Sequence, residues 1–152
     1  MMKSFSELSI FTKEIIMFAC TSMAGMAMTT GPTDTCKTPT PAGPQPMPYP
    51  NMAQLAMADS GTVDKQVTVL GAPVLTAKSK ITMSNGDEPG VAGGIVSNKN
   101  MGECTFKTSS QKVSFHGQPA VFMTCQTGHN GPSTCNTMGQ VTVPSQSFLN
   151  VS

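Results

Sequence analysis

Residues 34–51 read Asp34-Thr35-Cys36-Lys37-Thr38-Pro39-Thr40-Pro41-Ala42-Gly43-Pro44-Gln45-Pro46-Met47-Pro48-Tyr49-Pro50-Asn51, and six of these eighteen are proline. Each proline fixes φ and removes a backbone donor, which excludes helix and central strand. The stretch is expected to run as an extended, polyproline-like strap. It also carries Cys36 and the chain's single tyrosine, Tyr49, which a plain linker has no need of. The remainder of the chain therefore has to supply what this strap is fastened to.

The 152 residues suit one domain with a tail: an N-terminal extension over 1–18 and a domain over 19–152. Charged residues make up 11 % and the net charge is +1. Disorder usually goes with high net charge, so abundant Gly, Pro, Ser and Thr point instead to a turn-rich, all-β fold. Arginine and tryptophan are absent and the nine lysines are scattered. No basic face forms, and a nucleic-acid partner is not expected. Thirteen methionines, several of them at Met17, Met23, Met26 and Met28, read as soft filler of core or contact surfaces.

Ser4-Phe5-Ser6-Glu7 has the form of a capping box, and Phe5, Leu8, Phe11, Ile15 and Phe18 follow at helical spacing, so a short amphipathic helix is expected over about residues 5–18. As a signal peptide the segment is compromised by Glu7 and Glu14, and it is too short and polar to span a bilayer, so no stable membrane insertion is expected. Met17 is an alternative start.

Residues 52–61 are small and polar, as in a loop. Beyond them the pattern alternates. Strands are expected over 67–70, 74–76, 80–83, 103–108, 112–115, 120–124 and 140–144. Two internal echoes recur. Val67-x-Val69-x-Gly71-x-Pro73 returns as Val113-x-Phe115-x-Gly117-x-Pro119, and Met101-Gly102-Glu103-Cys104-Thr105-Phe106 returns as Met138-Gly139-Gln140-Val141-Thr142-Val143. Such echoes describe one hairpin design used more than once.

The residues offer little catalytic chemistry. Asp87 and Glu88 are adjacent and point to opposite faces of an extended chain, and Asn85-Gly86-Asp87 reads as a turn. No nucleophile elbow, P-loop or dinucleotide fingerprint is present in the sequence. Cys125 and His129 lie four apart, but nothing supplies an orienting third group. Cys36, Cys125, His129 and Cys135 together would close a tetrahedral structural zinc site and pin the strap to the C-terminal loops. The same residues read equally as free thiols and a surface histidine. His116, in the turn Phe115-His116-Gly117-Gln118, is expected to be exposed. Cys104 is expected to pack mid-strand, and an odd total of five cysteines fits poorly with a complete disulfide framework.

Three separated motifs resemble one family. Asp34-Thr35-Cys36-Lys37-Thr38-Pro39 followed by Pro46-Met47-Pro48-Tyr49-Pro50-Asn51, then Ser84-x-Gly86-Asp87-Glu88-x-Gly90 with Gly93-Gly94-Ile95-Val96-Ser97, then Val113-x-Phe115-x-Gly117 leading to His129-Asn130, resemble the PAAR-like proteins with a Pro-Ile-Pro-Tyr signature. Those are relatives of the spike-tip proteins of type VI secretion and other contractile injection systems. Met47 stands where the signature has isoleucine, and Gly131 where some relatives have a second histidine.

The resemblance implies a small conical all-β fold seated on a trimeric VgrG-like spike protein. It also implies a metal, zinc, near the point, with Cys36 and His129 in ligand positions, and a non-enzymatic role that could couple an effector or chaperone. The protein would reside in the cytoplasm until fired outside the cell. The rival readings are a secreted, disulfide-stapled β-domain and a small enzyme using Cys125 and His129.

Overall fold

A computed structural model describes residues 17–151. The expected helix over 5–18 lies outside the described residues except for its last two. Of these, Phe18 is extended and bridges Asn150.

The chain is all-β. Twelve short strands follow in order: β1 Met26–Thr29, β2 Asp34–Thr38, β3 Gln45–Tyr49, β4 Met52–Gln54, β5 Asp64–Val69, β6 Ala72–Val74, β7 Lys80–Ile81, β8 Cys104–Phe106, β9 Ser114–Phe115, β10 Gln118–Pro119, β11 Gln126–His129 and β12 Thr137–Val143. Six of them form one antiparallel sheet in the order β4-β1-β12-β11-β8-β7. Its two edges nearly meet. After β4 a single 3₁₀ turn, Leu55–Met57, carries the chain to Ala58, which bridges Ile81 in β7. The Asp59 N–H donates to the Lys80 carbonyl at 2.8 Å across this seam. The result is a nearly closed, barrel-like sheet, consistent with a small conical fold, and closure hides edges that would otherwise pair with other chains.

The barrel interior follows from period-two alternation. Five of the six strands contribute inward apolar residues, Ala27 from β1, Ala53 from β4, Ile81 from β7, Cys104 from β8 and Val141 from β12, joined by Leu55, Leu75, Val121, Cys20 and Cys125. Most of these side chains are small, because the strands are short and the lumen is narrow. A second, smaller cluster of Ala19, Ala120 and Val151 ties the N-terminal segment to the C-terminal one, with the Val151 N–H donating to the Met17 carbonyl.

The proline-rich stretch is a β-hairpin, where a polyproline-like strap was expected. All five residues of β2 pair with β3, from Asp34↔Tyr49 to Thr38↔Gln45. The prolines permit this because they alternate. Pro46 faces Lys37 and Pro48 faces Thr35, the positions where an antiparallel pair exchanges no hydrogen bonds. At these same positions β2 turns its own backbone groups the other way. The Lys37 N–H donates to the Gly93 carbonyl, and the Thr35 carbonyl accepts from the Ile95 N–H. β3 is thus an edge strand whose missing donors all face outward.

Both echoes have structural counterparts. β5–β6 and β9–β10 are two-residue hairpins with positive φ at both turn residues, Leu70 (53°) and Gly71 (80°) in one, His116 (47°) and Gly117 (76°) in the other. These are the signs of type I′ turns, whose twist matches the strands they join. The prolines of the repeat take equivalent places, Pro73 opposite Thr68 and Pro119 opposite Ser114. In the second echo, Cys104 and Val141 both point into the barrel.

Some elements lie elsewhere than the alternation placed them. Residues 120–124 are bridges and turns rather than a strand, and the strand follows as β11. Residues 52–61, expected as a loop, supply the sheet edge β4 and its closing seam. Truncating the seam tests its weight. Ile81→Ala should cost about 2–5 kcal/mol by the usual price of a buried cavity, whereas Val143→Ala, at an exposed site in β12, should stay within about 0.5 kcal/mol. Urea unfolding midpoints of the two variants check this contrast.

Candidate functional site

Beside the apolar barrel lies a second buried region made almost entirely of polar side chains. Asp34, Asn51, Ser84, Asp87, Thr127, His129 and Asn130 are all fully buried, and so is Cys36 among them. Each of the three sequence motifs contributes. β2 brings Asp34 and Cys36, the end of the hairpin brings Asn51, the 84–102 loop brings Asp87, and β11 with its following turn brings His129 and Asn130.

Asp34 is the hub. Its carboxylate accepts from Asn51 Nδ2 at 2.7 Å, from Asn136 Nδ2, and from Asn130 Nδ2 at 3.4 Å to both oxygens. Asn136 and Asn130 also bind backbone carbonyls, of Thr35 and Lys99, so they clamp the surrounding loops while facing the carboxylate. Cys36 Sγ lies 3.6 Å from Asp34 Oδ1 and 3.6 Å from Asp87 Oδ2. Asp87 in turn accepts from the Met101 N–H at 3.1 Å. Among the described residues, no buried side-chain polar atom lacks a hydrogen-bond partner.

Burial, reinforced by the two carboxylates, pushes the Cys36 thiol up to about 12, so it stays protonated and its single S–H lies between them. Burial likewise raises Asp87 to about 6, with the Met101 N–H opposing and the Asp34 charge adding to the rise.

His129 is held at both nitrogens. Asn51 gives its amide N–H to Asp34 and so turns Oδ1 toward His129, whose Nδ1–H donates to it at 2.8 Å. Nε2 then accepts from the Thr127 hydroxyl at 2.8 Å. Burial drives the imidazole down to about 4, against an opposing pull from Asp34, so it is neutral at physiological pH.

The four expected metal ligands are not gathered at one point. Cys36 and His129 share the network but are separated by Asp34 and Asn51. Cys125 lies in the barrel core, where its sulfur accepts from the Phe122 N–H at 3.4 Å. Cys135 is half-buried beside Met138, its Sγ 3.6 Å from the thioether. Cys104 packs in the core, and His116 is exposed, both as expected. The five cysteines are all free.

Among the described residues, the group whose ligand atoms could share a cation is Asp34, Cys36 and Asp87, all within 4.8 Å of one another. Two carboxylates and a thiol suit a divalent cation of borderline softness. The asparagine amides behind them are placed as outer-shell donors to anionic ligands. Sequence reasoning missed both acids, although each stands inside a quoted motif. Asp87 was read as a turn former because Asn85-Gly86 precedes it.

The 84–102 loop can approach this closely because it is glycine-rich. A methyl on Gly90 would overlap Cys36 Cβ, and one on Gly94 would overlap the Asn136 amide.

Fold and site together define a small all-β domain built around a buried polar knot, with a candidate cation cluster inside it. The family model of the Toxin PAAR-like domain matches residues 27–139, most of the chain, and the chain belongs to that family. Membership points to a spike-associated protein of the type VI secretion kind, in a class that is structural or effector-associated rather than typically enzymatic. No curated protein and no solved structure matches the chain.

Two outcomes test the site. Gly90→Ala should destabilise by about 1–3 kcal/mol through overpacking against Cys36, read as a lowered thermal midpoint. His129 has a folded pKa below its unfolded value, so the folded state resists protonation. Its contribution is whole above about pH 6.5 and is lost as pH falls toward 4, a difference of about 3 kcal/mol. Asp87, raised in the fold, slopes the opposite way over about pH 4–6. Subtracting the stability curve of His129→Gln from that of the parent isolates the histidine. A difference that is independent of pH would contradict the neutral, doubly bonded imidazole.

Proposed function

We propose that this chain is a non-enzymatic tip protein that caps and sharpens the trimeric spike of a contractile, type VI secretion-like apparatus, and that it can couple effectors to that spike. The observation that carries the reading is the convergence of the three family motifs on one buried knot. The motif residues fix loops to a barrel, and Asp34, Cys36, Asn51, Asp87, His129 and Asn130 are fully buried, engaged with one another rather than facing a substrate. A part that must survive being driven through a membrane needs rigidity at low mass. Short hairpins, alternating prolines and a fully satisfied polar knot supply it.

Asp34, Cys36 and Asp87 would hold a structural zinc ion in this reading. Bound zinc supplies a cross-link between β2 and the 84–102 loop, and its charge would displace the thiol proton of Cys36. Before firing, the protein would be in the cytoplasm. Separation of Cys125 from Cys36 and His129 leaves the small-enzyme reading without a constellation, and nothing in the geometry favours it.

Co-purification with the spike protein tests the role. A complex of one copy per spike trimer, stable through gel filtration, is the expected result, and absence of binding at micromolar concentration would overturn it. Elemental analysis tests the ion separately. Near-stoichiometric zinc in the parent and its loss in Cys36→Ser and in Asp87→Asn are expected, with the thermal midpoint falling on chelation in the parent alone. Zinc retained in both variants would refute the ligand assignment.

A further inference from the structure

The loop after β11 and the start of β12 gather sulfur on the outer face of the barrel, away from the polar knot. Two glycines fix which face is which. A methyl on Gly139 would meet His129 Nε2 in the knot, so Gly139 faces inward and its neighbour Met138 outward. Gly128 pairs with Met138 across β11 and β12 and shares its outward face. A methyl on Gly128 would meet Lys107 Cε, and Cys135 Cβ and Sγ at 3.0 Å. Cys135 Sγ therefore lies over the bare backbone of Gly128, and it sits 3.6 Å from Met138 Sδ.

Neither sulfur is core filler. Cys135 is half-buried and Met138 is 45 % exposed, unlike Cys20, Cys104 and Cys125 in the barrel. A groove of about 320 Å³, lined by Met138, Gln126, Gln140 and Thr30 among others, opens beside the thioether. The sheet register supplies a third sulfur. Ala27 points into the barrel core, so Met28 next to it faces outward. Met28 stands opposite Gln140, which places it diagonally across from Met138 on the same face. Long side chains in that diagonal relation lie within reach of one another.

The spacing of the first two sulfurs suits a shared ion. With metal–sulfur bonds of about 2.3 Å, sulfurs 3.6 Å apart subtend roughly 100° at the ion. That angle is near tetrahedral and far from linear, so the ion needs a further ligand, which Met28 is placed to give. One thiolate and two thioethers are soft ligands of the kind that select Cu(I). Zinc is served poorly, because among the described residues Cys135 belongs to no group of three thiol, imidazole or carboxylate ligands. Charge argues the same way. As the Cu–S bond forms, the Cys135 proton leaves to solvent and the centre is neutral. The Lys107 side chain, packed over the same glycine, repels a neutral centre less than a doubly charged ion.

We propose that Cys135, Met138 and Met28 form a Cu(I) site on the outer face of the sheet, with one thiolate and two thioethers as its ligands. The site shares no ligand with Asp34, Cys36 and Asp87, so its test is separate from the zinc assignment and from spike capture.

The full-length chain is titrated anaerobically with Cu(I), supplied as its acetonitrile complex, against bicinchoninate as a coloured competitor. One Cu(I) per chain should be held, with sulfur alone in its first shell by X-ray absorption. Cys135→Ser should abolish this binding. Met138→Leu and Met28→Leu keep the side-chain volume and remove the thioether. Each should weaken binding by at least about tenfold while keeping the parent's thermal midpoint. These two variants read the site even where Cys135→Ser destabilises the fold. An unchanged Cu(I) affinity in either methionine variant, Cu(I) retained by a folded Cys135→Ser chain, or displacement of Cu(I) by an equal concentration of Zn(II) would each overturn the proposal.

Discussion

The structure depends on one buried carboxylate. Asp34 receives amide donors from Asn51, at the end of the β2–β3 hairpin, and from Asn130 and Asn136, both in the loop between β11 and β12, about eighty residues further along the chain. A carboxylate out of water is costly unless its lone pairs are filled, and filling them here requires both stretches to be in place at once. The cost of burial thereby becomes a constraint on topology. The β2–β3 hairpin and the loop joining β11 to β12 each have one position in which the hub is satisfied. Asn51 extends the constraint to His129, whose neutral tautomer is set by the same amide. A chain with a lumen filled largely by small side chains gains modest hydrophobic stabilisation per residue, and such a network supplies specificity that the apolar core alone would not.

Much of the all-β architecture was legible because its signals are local. The Val-x-Val/Phe-x-Gly-x-Pro echo is legible as a hairpin because the glycine occupies a turn position with positive φ and the proline a non-hydrogen-bonded one, requirements set within seven residues. The proline-rich stretch was misjudged for an equally local reason. Counting prolines argues against a strand. Noting that Pro44, Pro46, Pro48 and Pro50 recur with period two argues for an edge strand whose bonding positions are the residues between them. β4 and β11 gave no such signal. Met-Ala-Gln has no branched or aromatic residue and Gln-Thr-Gly-His has only Thr127, next to a glycine, and they are strands because their neighbours hold them in the sheet.

The site was legible in part, and the division is physical. Residue type suggested thiols and an imidazole as ligands, since these bind zinc well. Cysteine, though, is also a small apolar residue, and a narrow barrel lumen has many uses for one. Cys20, Cys104 and Cys125 serve there, and nothing in the Cys125–His129 spacing could separate a ligand from a filler. The motifs held the better signal. Asp34, Asn51, Asp87 and Asn130 stand in them beside Cys36 and His129, and polar residues shared among distant motifs are the mark of a buried network rather than of a chelate alone. His129 illustrates the difference: a histidine with both nitrogens bonded inside the protein orients its neighbours and is not free to bind a cation.

A polar knot and an apolar barrel divide the work of holding so small a domain rigid. The barrel resists unfolding through burial, which is non-directional and tolerates small shifts. The knot resists distortion, because hydrogen bonds in a medium of low dielectric lose energy steeply when stretched and the groups they abandon find no water. The loops 84–102 and 130–136 are tied to Asp34 and Asp87 through Asn130, Asn136 and the Met101 N–H. Placing the directional interactions there and the non-directional ones in the barrel matches each kind of interaction to the displacement it resists best.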